Sequence, residues 1–225
     1  MRRLLARAVV LAGLATPWTA AALPLRSPQV AFNAAPLQNY LNGAEGGIQV
    51  LTDQLADVTW WPIQLPSTPY FDLFLTRNLG PNASAGVYAP NAPDPTLIEV
   101  FPPGAPAGSS AALSFIQGNL NVDTFDANGD YLGITVHPGV SRNNFGFYTR
   151  SQCGTWFAQA SLNPLSSPQA LTYASTITSD SYWVCFELCP YSGVSTFDGV
   201  VLLFRANHGD PAVPETWGRV KGMYR

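Results

Sequence analysis

About ten short apolar stretches, several with an apolar residue at every second position and each cut off by a proline- or glycine-rich link, constrain this chain more than any other feature. Phe71, Leu73 and Leu75 alternate with Asp72, Phe74 and Thr76. Leu120 and Val122 alternate with Asn121 and Asp123, and Tyr182, Val184, Phe186 and Leu188 with Trp183, Cys185 and Glu187. Further runs lie at 97–101, 112–116, 131–136, 145–148, 155–158, 170–173 and 200–204. A period of two places successive side chains on opposite faces of a strand, and many short strands with turn signals between them imply an all-β sandwich or jelly-roll-like domain. Composition agrees: 20 Pro and 19 Gly among 225 residues, with Lys221 the only lysine, suit tight turns rather than long helices. With 47% apolar and 11% charged residues the chain has the material for a core, which excludes disorder by composition.

Two segments depart from the strand pattern. Pro36, Leu37, Tyr40 and Leu41, followed by Gly43, predict a short N-terminal helix of two turns with Pro at its first position and Gly past its end. At the other end Trp217, Val220 and Tyr224 share one face of a short helical tail that also carries Arg219, Lys221 and Arg225. The links 80–83, 89–95 and 102–110 do not separate two strand sets large enough for two domains. The expected organisation is a signal peptide at 1–22, a lead-in segment at 23–35, one β-sandwich at 36–206 and a tail at 207–225.

The signal peptide follows from a basic start (Arg2, Arg3, Arg7), the apolar stretch 8–15 and the small residues Ala20, Ala21 and Ala22. Pro17 and the short run stop this segment well below the ~20 apolar residues of a membrane span. The mature protein is therefore expected to be secreted, extracellular or at the cell surface, and not membrane-embedded. Loss of the three arginines leaves eight basic residues against fourteen acidic ones, a net charge of about −6. Such a surface offers nothing to a phosphate backbone, so nucleic acid is not an expected partner.

Candidate chemistry is sparse. Asp126, Asn128 and Asp130, with Asp123 before them, put oxygen side chains at alternate positions that suit calcium. The same letters, strand, Asn128-Gly129 turn, strand, describe a β-hairpin, the favoured reading. His137 and His208 stand near no nucleophile motif. Cys185 and Cys189 lack the second pair a zinc site needs. Glu99 and Glu187, both on predicted strands, are the pair a glycoside hydrolase would require. Trp60 and Trp61, if extended, point to opposite faces, so that one is available to stack on a sugar, although core packing is the commoner use of a strand Trp.

Three stretches carry a family resemblance. Residues 82–104 (NASAGVYAPNAPDPTLIEVFPPG) and 145–164 (FGFYTRSQCGTWFAQASLNP) contain its strand and turn letters. Residues 186–201 (FELCPYSGVSTFDGVV) align without gaps on the pattern F-E-D-L-P-G-G-G-D-R-D-F-N-D-V-V, with Phe186, Glu187, Pro190, Gly193, Phe197, Val200 and Val201 in agreement. In these the chain resembles the DUF 4114 family of exported bacterial proteins. The resemblance implies an extracellular all-β domain of surface or adhesion proteins with an acid-rich, calcium-binding loop. Here Leu188, Val194, Thr196 and Gly199 replace the acidic positions and Asp198 takes the Asn place, so the resemblance implies the fold and withholds the metal.

A loop that has lost its ion needs another constraint, and Cys153 and Cys189 are the expected disulfide, with Cys185 left as a buried thiol. Cys153 with Cys185 remains an alternative, whereas Cys185 with Cys189 requires the strand to bend, since four extended residues span about 13 Å. The expected function is a non-catalytic surface or matrix module that binds glycan or a cell-surface protein. The rivals are a jelly-roll glycoside hydrolase and a purely structural envelope protein.

Overall fold

A computed structural model describes residues 23–56, 70–90, 94–140, 145–178, 180–189 and 194–207. The expected signal peptide, Trp60 and Trp61, His208 and the tail from 208 onward lie outside the described residues. Two antiparallel sheets face each other. The larger has seven strands in the order β6-β5-β4-β1-β11-β10-β9 and the smaller four in the order β3-β2-β7-β8. Their ranges are β1 Tyr70–Leu75, β2 Ser84–Ala89, β3 Thr96–Phe101, β4 Ser110–Ile116, β5 Asn119–Phe125, β6 Tyr131–Pro138, β7 Gly146–Ser151, β8 Gly154–Phe157, β9 Ala170–Ala174, β10 Ser181–Phe186 and β11 Val200–Asn207. The all-β sandwich expected from the period-two pattern is the fold.

Between the sheets lies an aromatic-rich core. Phe71, Leu73 and Leu75 of β1, Val184 and Phe186 of β10, and Leu202 and Phe204 of β11 meet Val87 of β2, Ile98 and Val100 of β3 and Phe147 of β7. Phe204 contacts Phe71, Phe145 and Phe147 at ring centroids 5.1–6.1 Å apart, offset and edge geometries that aromatic quadrupoles favour.

One strand escaped the alternation pattern. β2 reads SAGVYA, and all six of its residues are buried, so no polar face marks it in the sequence. Its glycine has a packing reason. Across the β2–β7 pairing Gly86 stands opposite Tyr148 and Tyr88 opposite Gly146. A Cβ on Gly146 would lie 2.5 Å from the Tyr88 ring, so each tyrosine occupies the space that its facing glycine leaves open.

A third layer covers half of the large sheet's outer face. The helix α1 runs over Ala35–Ala44 with Pro at its start, passes through Gly43 and ends where Glu45 and Gly46, the latter at φ +67°, return their N–H groups to Leu41 O. The stop is thus Gly46 rather than the predicted Gly43, because only the later glycine adopts the left-handed conformation that closes a helix. Leu37 and Leu41 pack with Ile48 and Val50 on Leu171, Tyr173, Trp183, Cys185 and Val201. The lead-in joins the same layer through Val30, Phe32 and Ala34. Fully buried Gln54 ties its limbs together, accepting from Val30 N and donating to Val30 O and Val50 O. Leu55 N donates to Thr172 O and so covers the free edge of β9.

Candidate functional site

The loops at one end of the β9–β10 pair hold the features that sequence reasoning singled out. Phe186 pairs with Ala170 and Glu187 N donates to Gln169 O, so the chain leaves β10 beside the segment that enters β9. Cys153, in the β7–β8 turn, is bonded to Cys189, with Cα atoms 5.4 Å apart. Cys185 is free and fully buried, and burial pushes its thiol far above its ordinary range. The expected pairing is therefore the one present. Around it the turn and the loop share hydrogen bonds: Ser151 Oγ and Trp156 Nε1 both donate to Leu188 O, at 2.9 and 2.8 Å.

Glu187 lies one residue beyond β10 rather than on it. Its carboxylate accepts from Thr196 N at 2.7 Å, Phe197 N at 3.3 Å and Cys189 N at 3.4 Å, which makes it the clasp of this loop. The clasped turn brings Phe197, at φ +53°, into the layer beneath α1, edge-on to Phe32 at 5.2 Å. Asp198 is held by Arg77, 2.7 Å away, and the Arg77 guanidinium in turn lies over the Tyr40 ring. Burial acts to raise the Asp198 carboxyl. Hydrogen bonds from Thr196 and Arg77, and the Arg77 charge, outweigh that and hold it below the usual carboxylate range. Arg77 was not anticipated from the sequence, where it stands 121 residues from its partner.

Glu99 is exposed on β3 between the core residues Ile98 and Val100, and so points out of the small sheet. The structure does not bring Glu99 and Glu187 onto one sheet or one face, and the second carboxylate is already engaged by three backbone donors.

Asp126, Asn128 and Asp130 form the β5–β6 hairpin turn. Asp126 Oδ1 accepts from Asn128 N and Asp130 N, while Gly129 N donates to Asp126 O. These bonds, that from Asp130 foremost, lower the Asp126 pKa. The carboxylate thereby serves as a turn-former. Among the described residues no group of three or more His, Cys, Asp or Glu side chains is gathered as a metal set. His137 pairs through Nε2 with Thr135 Oγ1 at 2.9 Å, and partial burial lowers its pKa. No helix among the described residues is long and apolar enough to cross a membrane.

The segment 160–168 carries a feature the sequence did not announce. Leu165 and Ser166 both adopt left-handed backbone, φ +57° and +50°, a conformation that costs a non-glycine residue of order 1 kcal/mol or more. Buried Asn163 ties the segment at both ends: its Oδ1 accepts from Phe157 N, and its Nδ2 donates to Phe157 O and Ser167 O. The result is that Leu165 stands 98% exposed. Beside it a groove of about 380 Å³ runs between this segment and the lead-in, with Arg26, Gln29, Val30, Ser166 and Pro168 in its walls. No family model, curated protein or solved structure matches the chain.

Proposed function

We propose that this protein is a secreted, non-catalytic surface or matrix module that binds a glycan or a cell-surface protein through the loop end of its sandwich. The observation that carries the reading is the Asn163-held loop. A strained backbone that displays an apolar side chain to solvent, on a segment held by a buried amide, costs stability at the strained residues, and such strain clusters at recognition sites. Its rigidity lowers the ordering cost of binding, and the adjoining groove adds Arg26, Gln29 and Ser166 as polar contacts for hydroxyl or carboxylate groups. The stapled Cys189 and the residues 194–198 clasped by Glu187 add to this surface, with Val194 74% exposed.

The chain is on this reading a diverged relative of the DUF 4114 domain. The disulfide and the Arg77–Asp198 pair take over the loop-holding task that the family's resemblance assigns to calcium. Millimolar calcium is accordingly expected to leave the melting temperature within about 1 °C, because only a ligand bound by the folded state stabilises it. A rise of several degrees reversed by chelator would contradict this.

The functional test is a glycan-array screen of the exported protein, followed by Leu165→Asp and Arg26→Ala on any hit. Binding that falls at least about tenfold in these variants, with unchanged melting, supports the module. Release of sugar from a polysaccharide panel, abolished by Glu99→Gln or Glu187→Gln, establishes the hydrolase instead.

A further inference from the structure

β6 ends the large sheet on the side opposite β9. Tyr131, Leu132, Ile134 and Val136 are 57, 67, 52 and 56% exposed, and no residue of YLGITVHP carries a formal charge with His137 neutral. Exposed edges are ordinarily guarded by lysine, proline, a bulge, inward charge or a covering segment, and of these β6 has a bulge at Leu132 and Pro138 as its last residue. The edge of β9 is guarded by a covering segment at Leu55, whereas no strand among the described residues pairs with the outer edge of β6.

We propose that β6 is a homodimer interface, in which two copies pair antiparallel about a two-fold axis at Ile134 and join their large sheets edge to edge. The occupant is a second copy because the strand complements itself, as an isologous contact requires. Centred on Ile134, antiparallel pairing sets Ile134 against its own mate, Leu132 against Val136 and Val136 against Leu132. These are apolar cross-strand pairs of the kind that stabilise sheets, with Leu132 at the bulge that interrupts the β5–β6 register and Ile134 and Val136 on the regular stretch that follows it.

The electrostatics agree. The chain is net acidic, so two copies repel wherever carboxylates meet, yet in this register Asp130 falls opposite Pro138. Asp123, the nearest acid on β5, is turned toward the Tyr131 hydroxyl at 3.4 Å. Leu132, Ile134 and Val136, each more than half exposed, would bury only part of their apolar surface against the mate, so the interface falls below the standard size of about 1,600 Å². The dimer is therefore expected to form at about 10–100 µM rather than at nanomolar concentration.

Sedimentation or light scattering of the full exported chain up to about 200 µM tests the proposal, since the expected dimer fills within that range. The expected result is a monomer that becomes a dimer with concentration, and an Ile134→Lys variant that stays monomeric. The register is tested by Ile134→Cys, in which the two-fold axis places both thiols together. A short bis-maleimide should link this variant into dimers, while Leu165→Cys stays unlinked. This arm also decides the matter where Ile134→Lys fails to fold. A parent chain that remains monomeric at the highest concentration, a dimer that survives Ile134→Lys, or an Ile134→Cys protein that does not cross-link would overturn the proposal.

Discussion

The two halves of the seven-stranded sheet share one core but live in different surroundings on their outer faces. Over β9, β10 and β11 the outward residues Tyr173, Trp183, Cys185 and Val201 are fully covered by α1 and the chain around it. At β6 the outward residues Ile134 and Val136 are more than half exposed. The hydrophobic letters are alike in the two places. What differs is whether the chain returns to cover them, and this separates residues that hold the fold from residues free to meet a partner.

Replacing Trp183 by Ala on the covered half should have the largest effect, a loss of about 3–5 kcal/mol, read from denaturant unfolding. Trp183→Phe should cost much less, because the indole Nε1 is buried with no hydrogen-bond partner among the described residues and its removal relieves an unsatisfied donor. If the two changes cost the same, the layer under α1 is not close-packed and the contrast between the halves fails.

Next in size is the staple beside the covered half. Cys153→Ser opens a loop spanning 36 residues and should cost about 3–4 kcal/mol, visible as a fall in melting temperature equal to that caused by reductant. Peptide mapping without reduction should recover Cys153 linked to Cys189 and Cys185 free.

The ion pair comes third and brings a pH dependence. Arg77→Ala should cost about 0.5–1 kcal/mol near pH 6, since the pair is partly exposed. The folded Asp198 pKa lies below its unfolded value of 3.8. The pair's contribution is therefore complete above that value and is lost as pH falls through the folded pKa. Parent and variant should converge in stability as pH is taken from 5 toward about 2; a gap that persists there would mean Arg77 acts through its packing on Tyr40 alone.

The smallest effect is expected at the open edge. Val136→Thr on β6 should change the stability of dilute protein by less than about 0.5 kcal/mol, as surface substitutions do. A loss comparable to that of Trp183→Ala would show that β6 is covered in solution.

Much of this molecule is written in its letters. Alternation in 71–75, 120–123 and 182–187 exposes the strands because period two is a local property of the backbone, and ten of the eleven strands among the described residues coincide with apolar runs visible without a structure. The Asn128-Gly129 hairpin is legible for the same reason. The Cys153–Cys189 bridge was legible only by way of a loop that needed holding.

Other things had to wait for the fold. β2 is hidden because strands buried on both faces lose their alternation. Cys185 was expected to be buried, but the alternation of its strand does not say against what, and it is the returning N-terminal segment that covers Trp183 and Cys185 and makes their face a second core. Arg77 meets Asp198, and Glu187 turns from a strand acid into a loop clasp, through contacts no window of sequence contains. Periodicity records which side chains share a face. What covers that face is decided by chain segments far away, whose approach is set by the packing of the whole.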